Sequence, residues 1–203
     1  MGRRKSKKNL NKLILTLGVA IIFAVASYFG IELEDYIKDI SNKYKISYTT
    51  SFDLSTIPEF TDEPYVVLND NQPEFTEEDF HKESFEEYSE LDYLGRCGPA
   101  FAKVGIETMP TEERGEIGMV KPSGWKTIKY DSVDGKYLYN RCHLIGYQLT
   151  AENANERNLI TGTRYMNVEG MLPFEDMVDD YFEVKANANN HVLYRVTPIY
   201  EGN

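Results

Sequence analysis

Residues 139–175 read YNRCHLIGYQLTAENANERNLITGTRYMNVEGMLPFE. They hold one histidine, five asparagines and three arginines between short apolar pieces, a density of polar chemistry that a core does not require. His143 follows the strand-like patch 136–139, Asn158 opens a second apolar step at Leu159-Ile160, and Asn167 comes nine residues later. From Gly162 the composition turns helical, and Gly170 with Pro173 kinks or restarts that helix, because proline fits best in a first turn. A histidine at a strand end and an asparagine early in a helix can set a general base opposite a ligand for a hard metal. Phosphodiester cleavage uses that pair. A thiol hydrolase built on Cys142 beside His143 fails on geometry, since adjacent strand residues face opposite ways.

Outward from this stretch, 203 residues with 41% hydrophobic and 13% aromatic content suffice for one globular domain with a core. The formal net charge of −11 runs against nucleic-acid binding, which calls for a basic footprint. The charge is uneven, however: residues 59–90 carry twelve acids against the single Lys82, whereas residues 91–170 balance at ten acids and ten bases. The acidic excess therefore lies outside the polar stretch and need not repel a phosphate backbone from it.

The N-terminus is basic through residue 12, and residues 13–31 form an uncharged apolar run of nineteen, about the length that spans a bilayer. The preceding bases predict a cytoplasmic N-terminus and an exported remainder. Cleavage as a signal peptide, at Ala24-Val25-Ala26, is the alternative, and would leave the protein secreted. Residues 32–58 read as a linker or stalk, and residues 59–203 as the domain. Cys97 and Cys142 are too few for a disulfide scaffold, although export would permit one bridge between them.

Local signals outline the rest. Residues 65–68 read as a strand closed by the turn cluster 69–73, and Thr76 with Asp79 makes a capping box for a helix whose apolar side is Phe80, Phe85 and Tyr88. Residues 97–106, 117–120 and 192–200 read as strands, and 137–147 as two short strands around His143. Trp125 reads as core. Lys121 and Arg164 are candidates for phosphate contact, the latter with a simple salt bridge as its alternative.

Asn140-Arg141-Cys142-His143 resembles the Asp-Arg-Gly-His signature of the DNA/RNA non-specific endonucleases, which are ββα-metal (His-Me finger) nucleases. The step at Asn158 and the later Asn167 resemble that family's following strand and metal-bearing helix, and the wording most resembles exported DNA-entry nucleases of Gram-positive bacteria. The resemblance implies an α+β fold on a mostly antiparallel sheet, with a ββα-metal site, here preceded by a transmembrane helix. It implies His143 as general base, Arg141 holding the phosphate or the site, Asn167 as direct ligand of Mg2+ (with Mn2+ a substitute) and Glu175 holding the metal's water shell. Asn158 and Asn140 are implied as structural support, and DNA and RNA as substrates. Asn140 and Cys142 stand where the signature has aspartate and glycine, and the family continues through strands beyond 192–200. An extracellular nucleic-acid-binding module without catalysis is the alternative these departures leave open.

Overall fold

The strand Ala100–Val104 (β2) is the axis of the domain in this computed structural model, which describes residues 57–200. Ala100, Ala102 and Val104 alternate along it and are fully buried. The strands Phe85–Tyr88 (β1) and Val192–Val196 (β5) pair antiparallel on its two sides, giving the order β1-β2-β5. A second, two-stranded antiparallel sheet joins Tyr139–His143 (β3) to Leu159–Thr163 (β4), with His143 opposite Leu159. Among the described residues three α-helices accompany these strands: Glu77–His81 (α1), Tyr147–Thr150 (α2) between β3 and β4, and Leu172–Glu183 (α3), which follows a π-helical turn at Met166–Met171. Leu144, Ile145 and Leu149 from the β3–α2 segment and Val178 and Phe182 from α3 share one core with β2. On α3 the buried positions are Glu175, Val178 and Phe182, a stripe at three- and four-residue spacing. A carboxylate therefore occupies a place that packing would give to an apolar side chain.

The α+β architecture with antiparallel strands is as expected. So is the capping box: Asp79 N–H donates to Thr76 Oγ1 and Thr76 N–H to Asp79 Oδ2. The cluster after residue 68 turns as its composition predicts, with Asn69, Asp70 and Asn71 all in the left-handed region. Segments 13–31 and most of 32–58 lie outside the described residues. Among the described residues no helix is long and apolar enough to cross a membrane.

Several expected elements differ. The helix capped by Thr76 stops at His81, where Lys103 Nζ takes the carbonyls of Phe80 and Lys82. Phe85 and Tyr88 then belong to β1, with Phe85 edge-on to Phe101 of β2 at 4.9 Å. Residues 65–68 are not a strand, since they have no pairing partner and Val66 and Val67 stay exposed. Residues 117–120 form a turn whose carbonyls go to a side chain rather than to a ladder. After His143 the chain enters α2 instead of a second strand, and β4 is the partner of β3. The strand 192–200 ends at Val196, ahead of Pro198, which has no N–H to continue a ladder. Cys97 and Cys142 are both buried free thiols and form no bridge. Cys97 Sγ instead donates to the Leu159 carbonyl at 3.3 Å, and burial pushes its pKa up to about 11 and that of Cys142 up to about 12.

Candidate active site

His143 ends β3 and is only 7% exposed. Its Nε2 lies 2.7 Å from the Asn153 carbonyl, which can only accept, so Nε2 carries the proton and Nδ1 carries the lone pair. The carbonyl is there because α2 ends at Ala151 in the left-handed conformation (φ 56), which turns the loop 151–157 back over the strand end. Burial holds the His143 pKa below its ordinary value. The Asn153 contact opposes that shift and the Arg114 charge adds to it. The ring is thus a neutral base with one defined lone pair.

Arg114 NH2 donates to that Nδ1 at 3.2 Å. Nothing in the sequence flagged Arg114, which belongs to no helix or strand. Its loop is tied down from the site side: Tyr147 OH donates to the Glu112 carbonyl at 2.9 Å, and Arg141 donates to the Val120 and Gly118 carbonyls at 2.5 and 3.0 Å. The Arg141 guanidinium also lies 3.9 Å from the centroid of the half-buried Trp125 ring. The motif arginine is committed to anchoring the loop, and the arginine beside the histidine is Arg114.

Asn158 is fully buried and closes β4 onto the residues after His143. Its Oδ1 accepts from Ile145 N–H at 2.9 Å and its Nδ2 donates to the Ile145 carbonyl at 3.0 Å, while its own carbonyl accepts from Leu144 N–H at 2.8 Å. The Asn140 Oδ1 is buried without a hydrogen-bond partner. Lys121 is exposed near the 117–120 turn, and Arg164 pairs with Asp134 at 2.8 Å, the salt-bridge alternative.

Glu175 reaches the same neighbourhood from α3. A Cβ placed on Gly146 would stand 2.7 Å from the Glu175 Cδ, so the carboxylate packs on the bare backbone three residues past His143. Gln148 Nε2 donates to it at 3.3 Å. Burial, with Asp176 adding to it, pushes the Glu175 pKa up to about 7 against the opposing pull of Gln148 and Arg114.

Asn167 lies eight residues before Glu175, inside the π turn, where Leu172 N–H bonds to the Asn167 carbonyl five residues back. Eight α-helical residues would leave the two side chains about 80° apart, and the one-residue surplus of a π turn takes back about 100°, leaving roughly 20°. By this count of ideal turns the two positions share nearly one side of the helix. The Asn167 side chain makes no hydrogen bond among the described residues. A half-buried free amide oxygen in phase with a buried, charge-crowded carboxylate fits a hard divalent cation. Such an ion needs few protein oxygens because it keeps most of its waters. Among the described residues no three His, Cys, Asp or Glu side chains group as a metal cage.

Two antiparallel strands followed by a helix, with a histidine ending the first strand and an asparagine entering the helix, are arranged as a nuclease fold of mixed α/β class requires. More particularly, the model of the DNA/RNA non-specific endonucleases matches residues 76–203, more than half of the chain, and the chain belongs to that family. Among solved structures it is similar to NucA from Streptococcus agalactiae with magnesium bound, at 21% identity and TM-score 0.48 over 59% of this chain and 58% of that one. It is also similar to the Sda1 nuclease with bound zinc, at 27% identity and TM-score 0.47 over 58% of this chain and 63% of that one. An extracellular endonuclease matches at 26% identity and TM-score 0.44, over 61% of this chain and 58% of that one. The chain thus spans about six-tenths of the length of these solved structures. No curated protein matches the chain.

Proposed function

We propose that this chain hydrolyses phosphodiester bonds of DNA and RNA without reading sequence, using His143 as general base and Asn167 with Glu175 to hold one Mg2+, for which Mn2+ can substitute. The observation that carries the reading is the neutral His143 whose Nε2 proton is fixed on the Asn153 carbonyl and whose Nδ1 lone pair opens toward Arg114.

His143 Nδ1 takes a proton from a water as that water attacks phosphorus, and the fixed Nε2–H lets the ring become imidazolium without turning. Arg114 is exposed, so an incoming phosphate can draw its guanidinium off Nδ1. That movement frees the base and brings two parallel N–H donors to the phosphate oxygens. Arg141 serves indirectly, by holding the loop that presents Arg114. The cation, when bound, supplies Lewis-acid charge neutralisation at the phosphate and the leaving oxygen. The P–O3′ bond breaks, giving 5′-phosphate and 3′-hydroxyl ends. Contacts of this kind go to phosphates rather than base edges, which is why sequence goes unread. Export directed by residues 13–31 places the domain outside the cell, held at the membrane or released from it.

The test is cleavage of supercoiled plasmid and of RNA by the full chain with Mg2+ or with EDTA, beside His143→Ala. Nicking and linearisation that vanish in EDTA, with kcat/KM lowered about 10²–10⁴-fold in the variant, are expected. A folded wild type that cuts neither polymer with Mg2+, Mn2+ or Zn2+ sinks the reading and leaves a nucleic-acid-binding module.

A further inference from the structure

Residues 60–65 lie ahead of the family match, which begins at residue 76, and have no strand partner of their own. They nevertheless run along the π turn that carries Asn167, approaching the turn itself once and its two flanks three times. The Phe60 ring stands edge-on to Tyr165, with centroids 6.2 Å apart, and the Asp62 carbonyl accepts from Tyr165 OH at 3.3 Å. The Pro64 carbonyl lies 3.4 Å from where a Cβ on Gly170 would stand, and Tyr65 stands edge-on to Phe174 at 4.9 Å. These contacts fall just before Asn167, between Asn167 and Glu175, and just before Glu175. They bracket both side chains whose phase the π turn sets.

The rings involved contribute little to the core. Phe60 is 69% and Tyr65 52% exposed, so removing them does not open the packing around β2. Asp62 holds the left-handed conformation at φ 70, a local cost for a residue other than glycine that the four contacts offset.

We propose that residues 60–65 are a strap that positions the 166–171 turn, with Phe60 and Tyr65 as positioning residues that keep Asn167 and Glu175 in phase for the divalent cation. This rests on the assignment of those two residues to the cation. The strap acts on cation affinity and leaves the chemistry of His143 and Arg114 alone.

Hydrogen–deuterium exchange on the full chain tests it, comparing wild type with Phe60→Ala/Tyr65→Ala and with the ring-preserving Phe60→Tyr/Tyr65→Phe. Losing two edge-on aromatic pairs should speed exchange of the 166–171 amides by about tenfold, with β2 and β5 unchanged and the ring-preserving variant like wild type. The Mg2+ concentration that half-protects those amides, without substrate, should rise several-fold. The half-saturating Mg2+ for plasmid cutting should rise equally, while kcat at saturating Mg2+ stays within about twofold. Unchanged exchange at 166–171, loosening spread evenly over β2 and β5, or no Mg2+ protection in the wild type overturns the strap. A wild type that cuts nothing, yet shows Mg2+ protection that depends on the strap, upholds it while the nuclease reading falls.

Discussion

Replacing Asn158 with alanine should unsettle the fold far more than the chemistry. The side chain is fully buried and satisfies both backbone groups of Ile145 at 2.9 and 3.0 Å. Alanine leaves a buried N–H and a buried C=O without partners, at about 1–3 kcal/mol each, and adds a small cavity. A loss of about 3–4 kcal/mol is therefore expected, equivalent in a domain of this size to a fall in Tm of roughly 10–15 °C. Asn158→Asp keeps the acceptor for Ile145 N–H but sets a carboxylate against the Ile145 carbonyl. Only its protonated form can donate there, so its stability should recover as pH falls. Scanning calorimetry gives Tm, and plasmid cutting well below the variant's midpoint gives kcat/KM. Activity per folded molecule should fall less than for His143→Ala. A variant with Tm within about 3 °C of wild type but no activity would refute the structural role and move Asn158 into the chemistry.

Three further outcomes follow from the same geometry. Gly146 has an ordinary φ of −59, so Gly146→Ala strains no backbone and acts by pushing away the Glu175 carboxylate and the Gln148 amide that donates to it; a shift near 1 Å should cost about 10²-fold in kcat/KM, and an unchanged rate would show that Glu175 has no position to lose. The Glu175 pKa is raised in the fold from 4.5 to about 7, so the stability it contributes is full below about pH 4.5 and is lost as pH rises to about 7; in EDTA, Glu175→Gln should flatten that part of the Tm–pH curve and raise Tm at pH 7.5. Arg114→Ala should lower kcat/KM about 10²–10³-fold and, because the arginine's charge holds the His143 pKa down, move the acid limb of the rate profile to higher pH, which a pH series of initial rates reads directly.

The sequence showed those parts of the site that depend on spacing. His143, Asn158, Asn167 and Glu175 are singled out through ordered motifs that resemble those of a known family, whereas the capping box at Thr76 is legible from its residues alone, because its two partners lie three residues apart. What stayed hidden depends on contacts between distant segments. Arg114 sits in a loop with no periodicity, held by side chains from positions 141 and 147 that a linear reading cannot connect to it. The carbonyl orienting His143 is backbone and has no sequence signature of its own; it arrives through the left-handed Ala151, an unusual residue for that conformation. The end of α1 was misplaced because the lysine that caps it comes from β2, more than twenty residues later. The bridge that export would permit between Cys97 and Cys142 does not form, because compartment chemistry says that thiols could pair without saying that they meet.

Counted in α-helical turns, the eight-residue interval from Asn167 to Glu175 sets the two positions about 80° apart, and the π turn reduces that offset. The residues that signal it were in view. Pro173, second in α3, has no N–H to demand an α-helical partner, so the turn before it can widen without orphaning a donor. Gly170 gives the Pro64 carbonyl room to pass close by. Leu172 N–H then closes on Asn167 itself, so the bond that widens the turn is made by the residue whose side chain the widening aims. Glu175 is fixed independently, by the buried stripe it shares with Val178 and Phe182 and by the bare face of Gly146. Packing therefore sets the orientation of the carboxylate, and the extra residue brings the amide's position toward the same angular phase. A straight helix with the same two side chains would set them about 80° apart, and the proposed cation would then have to be shared across that offset.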